Sequence, residues 1–310
     1  MSDIFTTAVI VATIASGIRL ATPFLLASLG EALSQRSGVL NLGVDGVMLL
    51  GAFGAYFVVL ETENLWAGVL MGMGVGAIMG VFYAFVTVVM KAEQGVSGIG
   101  IYLFGLGMSD LLFQKLVGTP LPIDQFGTFN IPVLADIPIV GEMFFQHTPM
   151  VYIAFLLVPV FAVVMNRTTF GLNVRAVGES PESADSLGVS VALVRFATII
   201  IGNMMAGLAG AALALELGIF QQNLTNAMGF IAIALVYFGA WRAPGVMAGA
   251  LVFGMVGAIV LQGKTLGLIP REASDIAAMA PAIITILALV IVANRFRQPA
   301  ALTKPYIRGH

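Results

Sequence analysis

The sequence of 310 residues contains no cysteine and only two histidines. Without cysteine the chain cannot form disulfides, zinc–thiolate sites or cysteine-ligated iron–sulfur clusters. The two histidines, His147 and His310, provide few ligands for a histidine-rich metal site. We therefore expect no metal centre in this protein.

Charged residues are also scarce, because Asp, Glu, Lys and Arg make up 10% of the chain while hydrophobic residues make up 59%. Soluble domains carry about 25% charged and about 45–50% apolar residues. The mean hydropathy of +1.01 leaves too little polar surface to solvate a globule of 32.4 kDa. The composition therefore predicts a protein that crosses a membrane several times. Its net charge of −2 gives no excess of positive charge that would attract nucleic acid.

Apolar stretches between charged residues and prolines predict about nine transmembrane helices, within a range of about eight to ten, because each span needs about 20 apolar residues. The predicted spans are 6–29, 41–60, 65–90, 95–117, 149–166, 191–216, 226–241, 244–262 and 276–294. Some of these segments are expected to be broken or re-entrant. The predicted fold class is all-α, with residues 1–310 forming a single transmembrane domain.

The positions of Lys and Arg predict the orientation of these helices, since cytoplasmic loops are enriched in positive charge. The loops after odd-numbered spans carry most of it, at Arg36, Lys91, Arg167, Arg175, Arg242, Arg295, Arg297, Lys304 and Arg308. We therefore expect these loops in the cytoplasm, the N-terminus outside and the C-terminus inside.

Two connections are long enough to carry function. Segment 118–148 is rich in proline and lies outside in this topology, where it forms either a docking platform or an interfacial plug. Segment 167–190 lies in the cytoplasm and is the more informative of the two.

The cytoplasmic segment contains a compact helix signature. Ser180 can cap a helix N-terminus, Pro181 suits the first helical position, and Gly188 suits a left-handed stop. These residues predict a helix of about two turns from Pro181 to Leu187, which is too short to be stable alone. It must pack against the spans or against a separate protein.

Three motifs resemble those of one transporter family. Residues 171–189 spell G-x-x-x-R-A-V-G-E-x-P-x-x-A-x-x-x-G-V, residues 37–48 spell SGVLNLGVDGVM, and residues 229–234 spell GFIAIA ahead of Gly239 and Gly245. Together they resemble the ABC importer permeases for branched-chain amino acids, ribose and nucleosides, and most closely the nucleoside branch. The sequence departs from the pattern at Asp45, where Glu is commoner in that branch.

This resemblance implies a set of partners. They are a cytoplasmic ABC ATPase that uses ATP and Mg, a second permease subunit in a heterodimer, and an extracytoplasmic solute-binding protein. No cofactor is expected on this chain, and surrounding lipid is its other contact. The implied location is the bacterial inner membrane, and the implied solute is a nucleoside, with a simple sugar or a branched-chain amino acid as alternatives.

The resemblance also assigns roles to residues. Segment 167–190 corresponds to the coupling loop of the family, which seats in a groove of the ATPase. The residues expected to make this contact are Arg175, Gly178, Glu179, Ser180, Pro181, Glu182, Asp185, Leu187 and Gly188.

Polar residues at membrane depth predict the substrate pathway, because they are costly there and usually face a cavity or a partner. Asn41 and Asp45 lie in a glycine-interrupted stretch, and Asn226 opens a second interrupted run in the other half. Short interrupted segments in corresponding halves indicate a translocation site. The predicted pathway residues are Asn41, Asp45, Asn203, Phe220, Asn226 and Phe230. Asn203 is equally compatible with a hydrogen bond between helices.

Two further classes of function have weaker support. An ion-coupled secondary transporter would need a carboxylate relay, for which the core offers only Asp45 and Asp110, and Arg19 is a candidate ion-pair partner for either. The chain carries no HExxH or GxSxG motif, so we expect a transport subunit and not an enzyme.

A repeat of small residues predicts close helix packing. Gly68, Gly72, Gly76 and Gly80 recur at every fourth position of the third span, and small residues at this spacing let a second helix approach closely.

Overall fold

A computed structural model describes residues 6–270, 273–292 and 297–307. Arg295, Arg308 and His310 lie outside the described residues. The helices are α1 Thr7–Arg36, α2 Val44–Thr62, α3 Leu65–Ala84, α4 Gln94–Leu116, α5 Val140–Phe144, α6 Pro149–Arg167, α7 Thr169–Glu179, α8 Pro181–Ser186, α9 Val191–Leu217, α10 Met228–Phe238, α11 Ala243–Thr265, α12 Ser274–Ala278 and α13 Ala280–Val292. A π-helical turn, Phe85–Val89, extends α3.

The helices follow the predicted spans closely. Within the described ranges, seven of them are long and apolar enough to cross a membrane: α1, α2, α3 with its π-turn, α4, α6, α9 and α11. The other two predicted spans are the shorter helices α10 and α13, of 11 and 13 residues. This confirms a polytopic all-α fold with interrupted segments.

Helix α9 lies at the centre of the bundle and packs against α1, α2 and α3. Glycines on both sides bring the backbones together, because a Cβ at Gly76 would overlap the carbonyl oxygen of Asn203, and one at Gly207 would overlap that of Gly72. A Cβ at Gly51 of α2 would lie 2.7 Å from the Cα of Gly207. The predicted small-residue groove is confirmed: Gly72, Gly76 and Gly80 pack on α9, whereas Gly68 packs on α2.

The loops separate into two ends as the charge pattern predicts. At one end Arg36 donates from Nε to the carbonyl oxygen of Trp241 (3.3 Å), so the connections after α1 and α10 meet. The tail reaches the same end, where the N–H of Ala301 donates to the carbonyl oxygen of Gly178 (2.9 Å). This is the end that the excess of Lys and Arg assigns to the cytoplasm.

Segment 118–148 lies at the opposite end. It contains a two-residue antiparallel pair, β1 Phe129–Asn130 with β2 Gln146–His147, and the short helix α5. The N–H of Ile123 donates to the carbonyl oxygen of Gly218 (2.9 Å), and the hydroxyl of Tyr56 donates to that of Leu121 (2.9 Å). The segment is therefore packed onto the ends of α2 and α9.

The close α3–α9 contact predicts that replacing one glycine of α3 with alanine destabilises the protein, whereas replacing another does not. Gly76→Ala forces α3 away from α9 and should lower the free energy of unfolding by about 1–3 kcal/mol, as overpacking does. Gly74→Ala is the matched control, because a Cβ there meets nothing within 4 Å. Thermal unfolding in detergent measures both, and equal stability of the two variants would contradict this packing.

Candidate functional site

The cytoplasmic segment folds into two helices, of which the sequence predicted one. Helix α8 confirms the prediction: Ser180 Oγ accepts from the N–H of Ser183 (3.4 Å), Pro181 is its first residue, and Gly188 has a φ of +85°. Helix α7 was missed, although Thr168 caps it by accepting from the N–H of Gly171 (3.1 Å).

The two helices present different faces. Val174, Val177 and Gly178 of α7 are buried against the ends of the spans. Glu179 and Glu182 are exposed, and Leu187 is 84% exposed just beyond α8. Of the other residues predicted to contact an ATPase, Arg175 donates from Nε to the carbonyl oxygen of Gly171 (3.3 Å), and Asp185 is half-buried.

The chain between α1 and α2 is a helix break whose backbone groups are bonded by side chains from several elements. Glu31 Oε1 accepts from the N–H of Asn41 (3.0 Å), and Gln94 Oε1 accepts from that of Leu40 (2.9 Å). The hydroxyl of Tyr83 donates to the carbonyl oxygen of Leu40 (2.6 Å). Such bonding is what permits a non-helical backbone in the buried interior of the bundle.

Asn41 connects this break to α9. Its Nδ2 donates to Asn203 Oδ1 (3.0 Å), while its Oδ1 accepts from the N–H of Gly43 (2.8 Å). Both asparagines are almost completely buried, at 1% and 2% exposed. Asn203 therefore makes an interhelical hydrogen bond, and its partner is another residue of the predicted pathway.

Asp45 connects the break to the second interrupted segment. Its Oδ1 accepts from the N–H of Gly229 (2.8 Å) and its Oδ2 accepts from the hydroxyl of Thr225 (3.1 Å). The chain enters α10 through left-handed residues, since Asn226 and Ala227 have φ of +43° and +67°. The two interrupted segments that the sequence paired are thus in direct contact. A carboxylate at the first turn of α10 is also favoured by the helix dipole.

The two predicted aromatic residues lie in different surroundings. Phe230 is 36% exposed and packs edge-to-face on Tyr102, with ring centroids 5.1 Å apart. Phe220 is fully buried among Phe53, Tyr56 and Phe113. Phe230 is therefore partly exposed and follows Gly229, which is bonded to Asp45, whereas Phe220 is enclosed in this conformation. Asn226 is exposed at the entrance to α10.

Sequence reasoning missed several buried polar residues. Glu31 accepts through Oε1 from Gln35 Nε2 (2.9 Å), and Gln35 accepts through its own Oε1 from Trp241 Nε1 (2.7 Å). Glu31 lies two residues beyond the predicted end of the first span, so extending that span by one turn would have identified it. Arg195 was also passed over, although it lies inside the sixth predicted span and is 3% exposed.

The expected ion pair of Arg19 with Asp45 or Asp110 is wrong. Arg19 donates from Nη2 to Ser16 Oγ (3.3 Å) and lines a cavity together with Glu216. Asp45 is bonded to α10 as described, and Asp110 Oδ2 accepts from Gln114 Nε2 (3.0 Å). Arg19 lies towards the outer ends of α1 and α9, while Asp45 opens α2 beside the break.

Two ionisable groups between the spans have shifted pKa values. Hydrogen bonds from the N–H groups of Val96 and Gly95 lower the pKa of Glu93, which caps α4. Burial lowers the pKa of His147, and its Nε2 is bonded to the carbonyl oxygen of Met143 (2.9 Å). Among the residues described, no group of three or more His, Asp or Glu could hold a metal ion.

Comparison with known proteins places these features in one family. Residues 13–293 match the family described as branched-chain amino acid transport system / permease component. A putative glucose ABC transporter permease protein from Haloferax volcanii is 39% identical over 256 residues, which cover 81% of this chain and 77% of that protein.

Two further relatives match over nearly their whole length. A guanosine ABC transporter permease protein from Bacillus subtilis is 34% identical over 303 residues, covering 93% of this chain and 94% of that protein. A nucleoside ABC transporter permease protein from Lactococcus lactis is 31% identical over 298 residues, again covering 93% and 94%. No solved structure matches the chain significantly.

The Asp45 contacts predict that removing this carboxylate destabilises the protein more than removing the carboxylate of Asp110. Asp45→Ala leaves the N–H of Gly229 and the hydroxyl of Thr225 without an acceptor, so it should lower the free energy of unfolding by about 1–3 kcal/mol for each buried group. Asp110→Ala, which removes one bond at a half-buried position, should cost less than about 1 kcal/mol. Thermal unfolding of both variants in detergent measures the difference, and an equal loss would show that the Asp45 contacts contribute nothing specific.

Proposed function

The chain belongs to the family of branched-chain amino acid transport permease components and is the transmembrane subunit of an ABC transporter, and we propose that it imports nucleosides. It is a multi-pass protein of the inner membrane. The proposed substrate is supported by the match to guanosine and nucleoside permeases, which covers 94% of each of those proteins. A sugar is the second candidate, because the putative glucose permease is 39% identical.

The surroundings of Asp45 support a flat, polar solute. Phe230 and Tyr102 offer aromatic surfaces on which a base can stack, and they flank the start of α2, where Gly46 packs closely on α4. Asn41 and Asn203 supply amide groups beside the same break. Aromatic surfaces with a few convergent polar groups are typical of small-molecule sites. In this proposal the solute passes beside the α2–α10 contact when that contact opens.

Family membership implies a partner ATPase and a solute-binding protein. We propose that the exposed edge of 178–188 seats in the ATPase, with Leu187 as the apolar anchor and Glu179 and Glu182 as charged contacts. Closure of the ATPases around ATP and Mg would move α8, and hydrolysis would reset it. In this proposal a second permease subunit completes a heterodimer, and this chain needs no cofactor of its own.

The choice between nucleoside and sugar is tested in the assembled complex. We expect guanosine or another nucleoside, loaded on the cognate binding protein, to stimulate ATP hydrolysis in proteoliposomes by about fivefold or more, a coupling typical of linked sites. Glucose serves as the control solute. Stimulation by glucose with none by nucleosides would assign the chain to sugars, and uptake that survives ATP depletion but collapses with an ionophore would refute ATP coupling.

The coupling role of Leu187 is tested with a matched exposed leucine. Leu187→Ala removes the apolar anchor and should lower the amount of ATPase that copurifies with the permease by about fivefold or more, as loss of a central anchor does. Leu193→Ala is the control, because Leu193 is 72% exposed but lies on α9 outside the coupling segment. Quantitative copurification in mild detergent is the measurement. The anchor role is wrong if both variants retain the ATPase equally.

A further inference from the structure

The C-terminal tail is packed into the cytoplasmic end of the bundle. Ala301 and Leu302 are buried, at 4% and 5% exposed, and Leu302 belongs to the main hydrophobic core. The N–H of Ala301 donates to the carbonyl oxygen of Gly178 (2.9 Å), at the end of α7. Two residues later, the N–H of Thr303 donates to the carbonyl oxygen of Gly38 (3.2 Å), inside the break between α1 and α2.

Glycines form the seat of this tail. Gly38 has a φ of +91°, and a Cβ there would lie 2.8 Å from Arg195 Nη2 and 2.9 Å from the carbonyl oxygen of Ala301. A Cβ at Gly178 would overlap the carbonyl oxygen of Arg36. The break, the end of α7 and the tail therefore lie so close together that a side chain at either glycine would push them apart.

Arg195 of α9 is bonded to two of these segments, the break and the tail. Its Nε donates to the carbonyl oxygen of Ser37 (3.1 Å) and its Nη1 to that of Lys304 (2.9 Å), while Nη2 has no hydrogen-bond partner among the described residues. Burying a guanidinium is costly unless its donors are bonded. The planar fork of arginine suits two carbonyl acceptors, which the single ammonium of lysine cannot reproduce.

We propose that residues 299–306 form a strap that transmits movement of the coupling helices to the break between α1 and α2, and that Arg195 is the positioning residue that fixes it. The strap is bonded at one point to Gly178, the first residue of the segment 178–188 proposed to meet the ATPase, and at another to Gly38. From Gly38 the chain runs three residues to Asn41, which is bonded to Asn203 of α9. A displacement of α8 thus reaches the Asn41–Asp45 region through hydrogen-bonded backbone. This inference rests on the proposed function.

Truncation of the complete transporter tests the strap. Deleting residues 299–310 should leave the ATPase bound and its basal hydrolysis intact, but lower solute-stimulated hydrolysis and uptake by about tenfold. Deleting only residues 307–310 is the matched control, since it keeps every bond described here. Loss of the ATPase itself from the longer deletion would overturn the proposal, because the tail would then be a docking element.

Point variants keep the test valid if the longer truncation fails to fold. Arg195→Lys retains the charge but not both carbonyl bonds, so it should lower solute transported per ATP hydrolysed by about fivefold while uptake affinity stays unchanged. Lys304→Ala, which leaves the carbonyl acceptor in place, should behave as the parent protein. Coupling equal to the parent protein in Arg195→Lys would overturn the role of Arg195.

A distance measurement tests the strap without relying on activity. The chain has no cysteine, so spin labels attach only at introduced sites. Glu182 of α8 and Lys304 of the tail both line a cavity of about 360 Å³. Each is changed to Cys and carries one spin label. The distance between labels should be the same without nucleotide and with trapped ATP. A change of more than about 5 Å, one helical turn, would show that α8 and the tail move separately.

If the parent complex shows no ATP-dependent uptake at all, the proposed function fails first, and the strap with it.

Discussion

A helix that stops inside the bundle leaves buried N–H and C=O groups that need partners within the protein, and the rest of this structure is arranged around that constraint. The break between α1 and α2 is short, yet its backbone is bonded by side chains from α1, α3, α4 and α9 and by the tail. Each donor or acceptor brings its own helix into a fixed position. The polar bonds of the break therefore orient helices that apolar packing alone would hold only loosely.

The same constraint explains why the two interrupted segments touch. Helix α10 begins inside the bundle with N–H groups that need acceptors, and Asp45 supplies them at the start of α2. Gly229 has no side chain, so the carboxylate on the short stem of aspartate can approach its backbone directly. The contact joins the two halves of the protein through one ionisable side chain.

The sequence predicts local features of this fold well and its long-range partners poorly. The spans follow from apolar length, and the ends of α8 follow from Ser180, Pro181 and Gly188, because capping depends on neighbours in the chain. Helix α7 was missed, since its two glycines reduce helix propensity and packing of its apolar face stabilises it instead. The bond between Asn41 and Asn203 could not be predicted, because residues 162 positions apart carry no local signal of their pairing.

The glycine contact between α3 and α9 has a consequence for biosynthesis. Helix α3 leaves the ribosome well before α9, and at about 5–20 residues per second the delay amounts to several seconds or more. During that time Gly72 and Gly76 lack the contacts with α9 that they make in the finished fold. The central helix of the finished bundle therefore enters after α1 to α4 and α6, and part of the surface that receives it is made before it arrives.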